Sequence, residues 1–356
     1  MEQFISRITR LTLTAAATAC LGLTASACDS STGTPAPGQP RTRASAKPSP
    51  QPTVTPALDR QAALELIRHY SAVNNQANAH DNARLLDTVE NDALFAMSVG
   101  GYKQDSGTPA KDRKPYKPWS YDTATARLYI PKFLPGTPRW FAAGLTQTGT
   151  KHQSLVVFAQ QPDRSWQMVL APDLDGMPLP DIALDAQGYA TAVAADGSDQ
   201  PGFDAGKLRT GITDNFATGG KNSGQQFFTP TPASRRQTGI HDKDIHRLGK
   251  KGITAFAAAN NVWNTAYGLK TAGGGAVLLF AHTHTQTDTL APGWQLTSGP
   301  DTRAWLGRTP RTAVTDTFVC NDAALIPTPT AKAQLLGYGC ELTGADGPPA
   351  TPMIRA

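Results

Sequence analysis

The first 57 residues of this 356-residue chain offer almost nothing that can build a core, which confines the fold to the remainder. An uncharged, mostly apolar run covers residues 11–27, and a single cysteine, Cys28, follows it. Residues 29–55 are mainly Ser, Thr, Pro, Gly, Ala and Gln, without an aromatic residue. Such a segment cannot bury enough apolar surface to offset its ordering entropy. We therefore predict a disordered spacer over residues 28–57 and a folded body from Leu58 onwards.

The start of the chain has the parts of an export signal. Arg7 and Arg10 precede the apolar run, and small residues end it just before Cys28. A basic start, a short apolar stretch and small residues before a cleavage site are typical of secretory signal peptides. A membrane-spanning helix needs about 20 strongly apolar positions, and this run is shorter and rich in Ala and Thr. We predict that residues 1–27 are a signal peptide.

The residues around the predicted cleavage site are Ala25-Ser26-Ala27-Cys28, and they resemble the lipobox of bacterial lipoproteins. The resemblance implies that Cys28 becomes the acylated first residue of the mature chain, anchored at the outer face of the cytoplasmic membrane. Ala25 stands where Leu is commonest in that motif. Cys20 is a second candidate for lipidation, and ordinary cleavage after Ala27 would instead give a secreted protein.

Two further cysteines lie in the C-terminal part of the chain. Export removes Cys20 and acylation consumes Cys28, which leaves Cys320 and Cys340, twenty residues apart, in an oxidising compartment. We predict a disulfide between them, and a pair of buried thiols is the alternative. Their spacing is far from that of redox-active C-x-x-C motifs.

The chain is basic, with a formal net charge of +5. Its basic residues are scattered, and the denser groups at residues 111–117 and 247–251 carry no recognisable nucleic-acid-binding module. We therefore expect no nucleic-acid partner. A basic surface can instead contact an anionic envelope polymer or a lipid surface, and it can also simply be solvated.

The body begins with helical patterns and continues with strand patterns. Asp59 is placed to cap a helix that runs to about Asn75, and residues 82–89 and 205–216 predict two further helices. Strands are predicted at 123–130, 139–148, 153–160 and 165–171. Pro162-Asp163-Arg164 and the glycines at 273–275 read as hairpin turns.

Two stretches of the body are similar to each other. In each, an aromatic residue and a Gly-Leu pair precede a polar turn and an apolar strand that ends in Phe-Ala. The stretches are 140–145 with 155–159, and 263–269 with 277–281. We interpret them as parts of two diverged tandem α+β units, residues 58–198 and 199–348, followed by a disordered tail over 349–356; two unrelated hairpins are the alternative.

Two resemblances extend this interpretation. Helices followed by an antiparallel sheet resemble the order of elements in the cone-shaped NTF2-like fold, which implies an α+β class with an apolar cup in each unit. The whole layout resembles actinobacterial envelope lipoproteins of uncharacterised function, since it combines a Thr-rich signal, a lipid cysteine, a Ser/Thr/Pro tether and a C-terminal cysteine pair. This second resemblance implies an envelope location and brings no catalytic residues with it.

The search for chemistry yields one weak cluster. His282 and His284 share a face if residues 277–284 form a strand, and they are weak candidates for metal ligands, with a third ligand sought in residues 241–246. The simpler interpretation is two histidines at a surface or pocket rim. The turn at 173–176 lacks the later ligands of a calcium loop, and no hydrolase or P-loop motif is present. We expect no metal and no cofactor.

These observations favour a non-enzymatic, lipid-anchored binding module of the cell envelope. Its partners would be membrane lipid through acylated Cys28 and an anionic wall polymer, a small ligand or an envelope protein. An envelope hydrolase with a His–Asp site is one alternative, and a structural assembly factor with an exposed apolar patch is another. The tryptophans that can line a pocket or fill a core are Trp140, Trp166, Trp263 and Trp294.

Overall fold

The structure is a computed structural model that describes residues 53–350. The predicted signal peptide, Cys20, Cys28 and nearly all of the predicted spacer lie outside the described residues, as does most of the predicted tail. Across residues 53–350, no helix is both long and apolar enough to cross a membrane.

The described residues form a mixed α+β fold, as predicted. Its helices are α1 (Arg60–Asn78), α2 (Ala83–Leu86), α3 (Asp92–Gly107), α4 (Ala205–Thr218), α5 (Ser223–Phe227), α6 (Pro232–Asp244) and α7 (Arg303–Leu306).

The strands are short in the first half of the chain and long in the second. They are β1 (Thr55–Pro56), β2 (Arg127–Tyr129), β3 (Lys132–Phe133), β4 (Trp140–Thr146), β5 (Gln153–Gln160), β6 (Trp166–Leu170), β7 (Ala192–Val193), β8 (Phe228–Thr229), β9 (Gly252–Ala258), β10 (Ala266–Lys270), β11 (Ala276–Leu290), β12 (Ala313–Ile326) and β13 (Ala333–Asp346).

The predicted cap of α1 forms, and the predicted helix at 205–216 is capped as well. The Asp59 carboxylate accepts a hydrogen bond from the Ala62 N–H at 2.8 Å and starts α1, and Asp204 starts α4 in the same way. Helix α2 is only four residues long, so the prediction for residues 82–89 holds for its start alone. Helices α3 and α6 were not predicted, because α3 is apolar on several sides and α6 is mostly polar, so neither shows a single clear apolar stripe.

The strands assemble into three sheets. Strands β1 and β3 form a pair, and β2-β4-β5-β6 form a four-stranded antiparallel sheet. The largest sheet has the order β7-β10-β11-β12-β13-β8, with β9 paired to the second half of β11. The two predicted turns lie in the β10–β11 hairpin and in the β5–β6 hairpin. Gly274 in the first turn and Arg164 in the second have positive φ angles.

The large sheet is covered on both faces. One face shares a core with α1, α3 and the four-stranded sheet, and it contributes Val277, Leu279, Ala281, Val319, Ala323 and Leu336. The other face packs against the second group of helices, chiefly α4, and contributes Ala276, Leu278, Phe280, Ala324, Ile326 and Leu335. The first of these cores contains residues from both predicted units, and β7, which lies before residue 198, is a strand of the large sheet. The boundary near residue 198 therefore separates neither the sheets nor the core.

One close backbone contact joins the two halves. Gly337 in β13 lies against the segment after β6, and a Cβ atom at this position would meet the carbonyl oxygen of Asp173 at 1.6 Å. Leu174, the next residue of that segment, is buried in the shared core. Only a residue without a side chain lets these two backbones approach so closely.

We predict that Gly337→Ala destabilises the protein by at least about 2 kcal/mol, because the clash is with backbone that has to move. The measurement is the free energy of unfolding in urea. Gly339→Ala is the matched control in the same strand, since no atom lies within 4 Å of the added Cβ. Equal stabilities of the two variants would contradict the contact.

Candidate functional site

The second half of β11 carries polar side chains into the protein. The residues that face the helices alternate along this strand, beginning with Ala276, Leu278 and Phe280 and continuing as His282, His284, Gln286 and Asp288. Both histidines are buried, with 1% and 0% of their surface exposed. The interpretation of His282 and His284 as surface or pocket-rim histidines is therefore wrong.

The neighbouring strands bring the cysteines to the same place. In the register of the sheet His282 lies opposite Cys320, and Cys320 lies opposite Cys340, so the three side chains form one row across β11, β12 and β13. Cys320 and Cys340 are joined by a disulfide, with their Cα atoms 4.0 Å apart. The predicted disulfide is therefore present and links two adjacent strands of the large sheet.

A chain of polar contacts runs through this row. Asp322 Oδ2 lies 2.5 Å from His282 Nδ1, and His282 Nε2 lies 3.1 Å from His284 Nδ1. His284 Nδ1 is also 3.7 Å from the Cys320 sulfur. When Asp322 is ionised its carboxylate accepts the Nδ1–H of His282, which leaves the lone pair of His282 Nε2 facing His284.

The cluster of Asp322, His282, His284, Cys320 and Cys340 lies under helix α4. The ring of Phe216 stacks on His284 with a centroid distance of 4.4 Å, and Asp322 is 0% exposed. Burial, together with the neighbouring His282, holds the pKa of His284 well below its usual range. His284 is consequently neutral near pH 7.

The cluster has two chemical capabilities. A His–Asp pair can act as a general base, but none of the three residues in the Asp322–His282–His284 chain lines either of the two cavities described below. The second capability is metal ligation, because one ligand atom from each of His282, His284, Cys320 and Cys340 lies within 4.8 Å of all the others.

The third ligand that the sequence suggested does not join this group. His241 lies on α6, where its Nδ1 is 2.7 Å from the carbonyl oxygen of Phe216, and His246 is exposed beyond the end of that helix. The prediction that residues 241–246 supply a ligand is therefore wrong. Asp322 was missed, although the same alternation that pairs His282 with His284 places it on the face of Cys320.

Two open cavities lie elsewhere on the surface. One, of about 250 Å³, lies between the start of α4 and the segment before β13 and includes Lys207 and Lys332. The other, of about 350 Å³, lies where the start of β9 meets the end of β11. Both are open to solvent, unlike the pockets that enclose most of the surface of a small ligand.

The second cavity belongs to a basic–apolar patch, defined here as Lys250, Lys251, Ile253, Leu290 and Trp294. Ile253 is 64% exposed and Trp294 is 47% exposed. The Lys251 ammonium lies 5.0 Å from the centre of the Trp294 ring, and the Lys251 carbonyl accepts a hydrogen bond from Ala291 beside the cavity. Within residues 53–350, neither lysine forms a salt bridge.

The predicted tryptophans separate into two groups. Trp140 is buried in the shared core, and Trp166 and Trp263 pack against that core while partly exposed. Trp294 alone among the four is largely exposed. The turn at residues 173–176 is a turn, as predicted, with Asp175 paired to Arg236.

Glu90 is a buried acid outside the cluster. Its Oε1 accepts hydrogen bonds from Tyr70 Oη at 2.7 Å and from Asn74 Nδ2 at 2.9 Å. Burial raises the pKa of Glu90 from 4.5 to about 7, although the hydrogen bonds partly oppose this shift. It therefore belongs to the internal framework that joins α1 to the segment before α3.

Comparison with known proteins places the chain among lipoproteins of Streptomyces. An uncharacterised lipoprotein of Streptomyces coelicolor is 51% identical over 297 residues, which are 83% of this chain and 84% of the relative. A second lipoprotein of that organism is 25% identical over 83% of this chain and 87% of its own length. A lipoprotein of Streptomyces avermitilis is 25% identical over 82% of this chain and 86% of its own length.

These relatives define the class, which is that of actinobacterial lipoproteins, and they indicate a membrane-anchored location outside the cytoplasm. Residues 54–347 match the family described as "Domain of unknown function (DUF8094)", and the chain belongs to this family. No solved structure matches the chain. The expected resemblance to actinobacterial lipoproteins is confirmed.

We predict that Glu90→Gln flattens the dependence of stability on pH. The folded-state pKa of about 7 lies above the unfolded value of 4.5, so the contribution of Glu90 to stability is complete below pH 4.5 and declines as the pH rises to 7. The wild-type protein should lose up to about 3 kcal/mol through this group, and the variant should not.

The measurement is the free energy of unfolding of both proteins between pH 4.5 and 8. Glu65→Gln is the control, because Glu65 is also a glutamate but is exposed on α1. A constant difference in stability between Glu90→Gln and wild type across this range would contradict the assignment.

Proposed function

We propose that this protein is a non-enzymatic interaction module, held at the outer face of the cytoplasmic membrane by acyl chains on Cys28, that docks on anionic phospholipid through its basic–apolar patch. The observation that carries the proposal is the exposure of Ile253 and Trp294 beside two lysines without salt bridges in the described residues. The buried His–Asp pair supports a non-enzymatic function, because a substrate would have to displace Phe216 and α4 to reach it.

The composition of the patch fits a membrane surface. Tryptophan prefers the boundary between headgroups and acyl chains, where its ring is buried and its N–H stays hydrated. Lysines beside it attract anionic headgroups, and each contributes about 1 kcal/mol near such a surface. A wall polymer would offer the charge but no apolar phase for Ile253, so the phospholipid surface is the partner that the patch matches best.

The predicted anchor strengthens this match. An acylated Cys28 would hold the body within the reach of a 24-residue segment, residues 29–52, so the local concentration of membrane around the patch would be high. A patch of modest intrinsic affinity would then be occupied much of the time. Several acyl chains would supply the stable attachment and the patch would set the orientation of the body.

The tandem-unit hypothesis is part of this proposal. The β4–β5 and β10–β11 hairpins both place a Gly-Leu pair near the middle of an antiparallel ladder, with Gly144 opposite Leu155 and Gly268 opposite Leu278. This correspondence supports two diverged α+β copies related to the NTF2-like order of elements. In this reading the second copy supplies the patch, because β9 and β11 border it.

We predict that the mature chain begins with an acylated Cys28. Intact-mass analysis of the protein from membranes should show a diacylglyceryl group on residue 28. Cys28→Ser should release the protein into the aqueous phase, and Cys20→Ser should leave it in the membrane. An unmodified first residue would contradict the anchor and leave a secreted protein.

We predict that the patch binds anionic vesicles without help from the anchor. The test uses the mature chain with Cys28→Ser, so that no acyl group contributes, and vesicles of phosphatidylglycerol and phosphatidylcholine. The double change Lys250→Gln and Lys251→Gln should weaken binding by about fivefold per lysine, and Trp294→Ala should weaken it further. Lys111→Gln with Lys114→Gln is the matched control elsewhere on the surface and should bind as the unsubstituted chain does.

Two outcomes would overturn this use of the patch. The first outcome is equal binding to neutral and anionic vesicles, which would contradict the proposed attraction between the two lysines and anionic headgroups. The second outcome is that the patch variants no longer sediment with purified anionic wall polymer but still bind vesicles as the unsubstituted chain does. That result would identify the polymer, and not the lipid surface, as the partner of the patch.

A further inference from the structure

Two of the separations among the four potential ligands are close to those of a tetrahedral metal site. Two imidazole nitrogens bound to one zinc ion lie ~3.3 Å apart, and a nitrogen and a thiolate sulfur lie ~3.6 Å apart. In the protein His282 Nε2 is 3.1 Å from His284 Nδ1, and His284 Nδ1 is 3.7 Å from the Cys320 sulfur. These two separations need to change by only a few tenths of an ångström.

The backbone around the cluster is rigid enough to hold such a site. The ligands come from three adjacent antiparallel strands, β11, β12 and β13, and the pairing of β12 with β13 is unbroken from residue 318 to residue 323. No loop contributes a ligand. Cys320 and His284 are fully buried, and Phe216 closes the site from the side of α4. Ligands on packed strands keep their geometry better than ligands on loops.

Asp322 lies where the outer shell of a metal site has its carboxylate. Its contact with His282 Nδ1 fixes the tautomer that leaves Nε2 free to bind, and it makes the imidazole a better electron donor. In addition, Asp322 Oδ1 and His284 Nε2 are buried and have no hydrogen-bond partner in the described part of the chain.

The charge of a metal-loaded cluster would be balanced. A divalent cation, two thiolates and two neutral imidazoles sum to zero, so the loaded site adds no net charge to a buried region. The remaining carboxylate, that of Asp322, is attracted by the guanidinium of Arg209 on α4. The metal-free and the metal-loaded cluster are therefore both compatible with the same surrounding charges.

A metal ion and the disulfide exclude each other. Two thiolates on one zinc ion lie ~3.8 Å apart, whereas the sulfurs of any disulfide are bonded at about 2.05 Å. A metal ion can therefore enter only after the bond between Cys320 and Cys340 is cleaved. The two sulfurs can either link β12 to β13 covalently or bind the metal ion, but they cannot do both at the same time.

We propose that His282, His284, Cys320 and Cys340 form a redox-controlled site for one zinc-like divalent cation. A dithiol reductant donates two electrons and two protons to the disulfide, giving two cysteine thiols and an oxidised, cyclic disulfide. The cation then displaces the two thiol protons to solvent, and the proton that His284 Nδ1 donates to His282 moves to His284 Nε2. The ion binds through the two sulfurs, His282 Nε2 and His284 Nδ1. This inference concerns the interior of the sheet and is independent of the lipid-docking patch.

The test uses the mature chain with Cys28→Ser, in which Cys320 and Cys340 are the only cysteines. After reduction with a phosphine, Co²⁺ is added as a spectroscopic substitute for Zn²⁺. We expect the visible absorption of tetrahedral Co²⁺ and a thiolate-to-cobalt charge-transfer band that saturate together at one ion per chain and are reversed by Zn²⁺. The unreduced chain should show neither band.

Variants separate a built site from stray binding. Cys320→Ser should remove most of the charge-transfer band, and His282→Ala should weaken binding by more than the ~100-fold that marks the largest outer-shell effects. Asp322→Asn should weaken it by about 10- to 100-fold while keeping the tetrahedral spectrum. His246→Ala, an exposed histidine, is the control and should behave as the unsubstituted chain does.

Near-ultraviolet circular dichroism of the reduced chain accompanies each titration, so that a loss of folding is not mistaken for a loss of ligands. The proposal is overturned if the reduced, folded chain gives an octahedral spectrum, or if His282→Ala binds as tightly as the unsubstituted chain. It is also overturned if reduction unfolds the chain and the metal ion does not restore the fold.

Discussion

The architecture depends on three long strands that are buried on both faces. Strands β11, β12 and β13 have 15, 14 and 14 residues, and they pair along almost their whole length. At the start of β11 the residues on both faces are apolar, so both faces have to be covered. Helix α4 covers one face, and the four-stranded sheet with α1 and α3 covers the other. The two halves of the chain therefore complete each other's cores.

The same ladder explains why a polar cluster can exist in the interior. Strand pairing satisfies the backbone, so the side chains of His282, His284 and Asp322 need partners only from each other and from the layer above. A buried charge is costly unless it is paired, and the cluster limits this cost by keeping His284 neutral. The disulfide fastens β12 to β13 in the same row of side chains as His282.

Interior and surface have different functions in this account. The interior holds the only described group of side chains with metal-ligand spacing, and three of its four members are buried. The surface carries exposed apolar residues beside two lysines that form no salt bridge within residues 53–350. The proposed contact with an envelope surface would thus be a property of the outside of the fold, while the proposed redox and metal chemistry would be properties of its centre.

The sequence predicted the features that depend on neighbouring residues. The cap of α1, the start of α4, the extent of β5, the turns at Arg164 and Gly274 and the pairing of Cys320 with Cys340 all agree with the structure. Capping, turn conformation and strand alternation are set within a few residues, so a local pattern reports them directly. The signal peptide and the lipid cysteine are likewise sequence-level predictions.

Only the tertiary structure decided what becomes of the second half of β11. A Thr-rich strand end with two histidines has the composition of an exposed edge, yet Phe216, more than sixty residues earlier in the chain, lies over it. The same is true of α3, whose apolar residues on several sides make sense only between the halves of the fold. Burial depends on which distant segments cover a surface, and that information is absent from any local stretch of sequence.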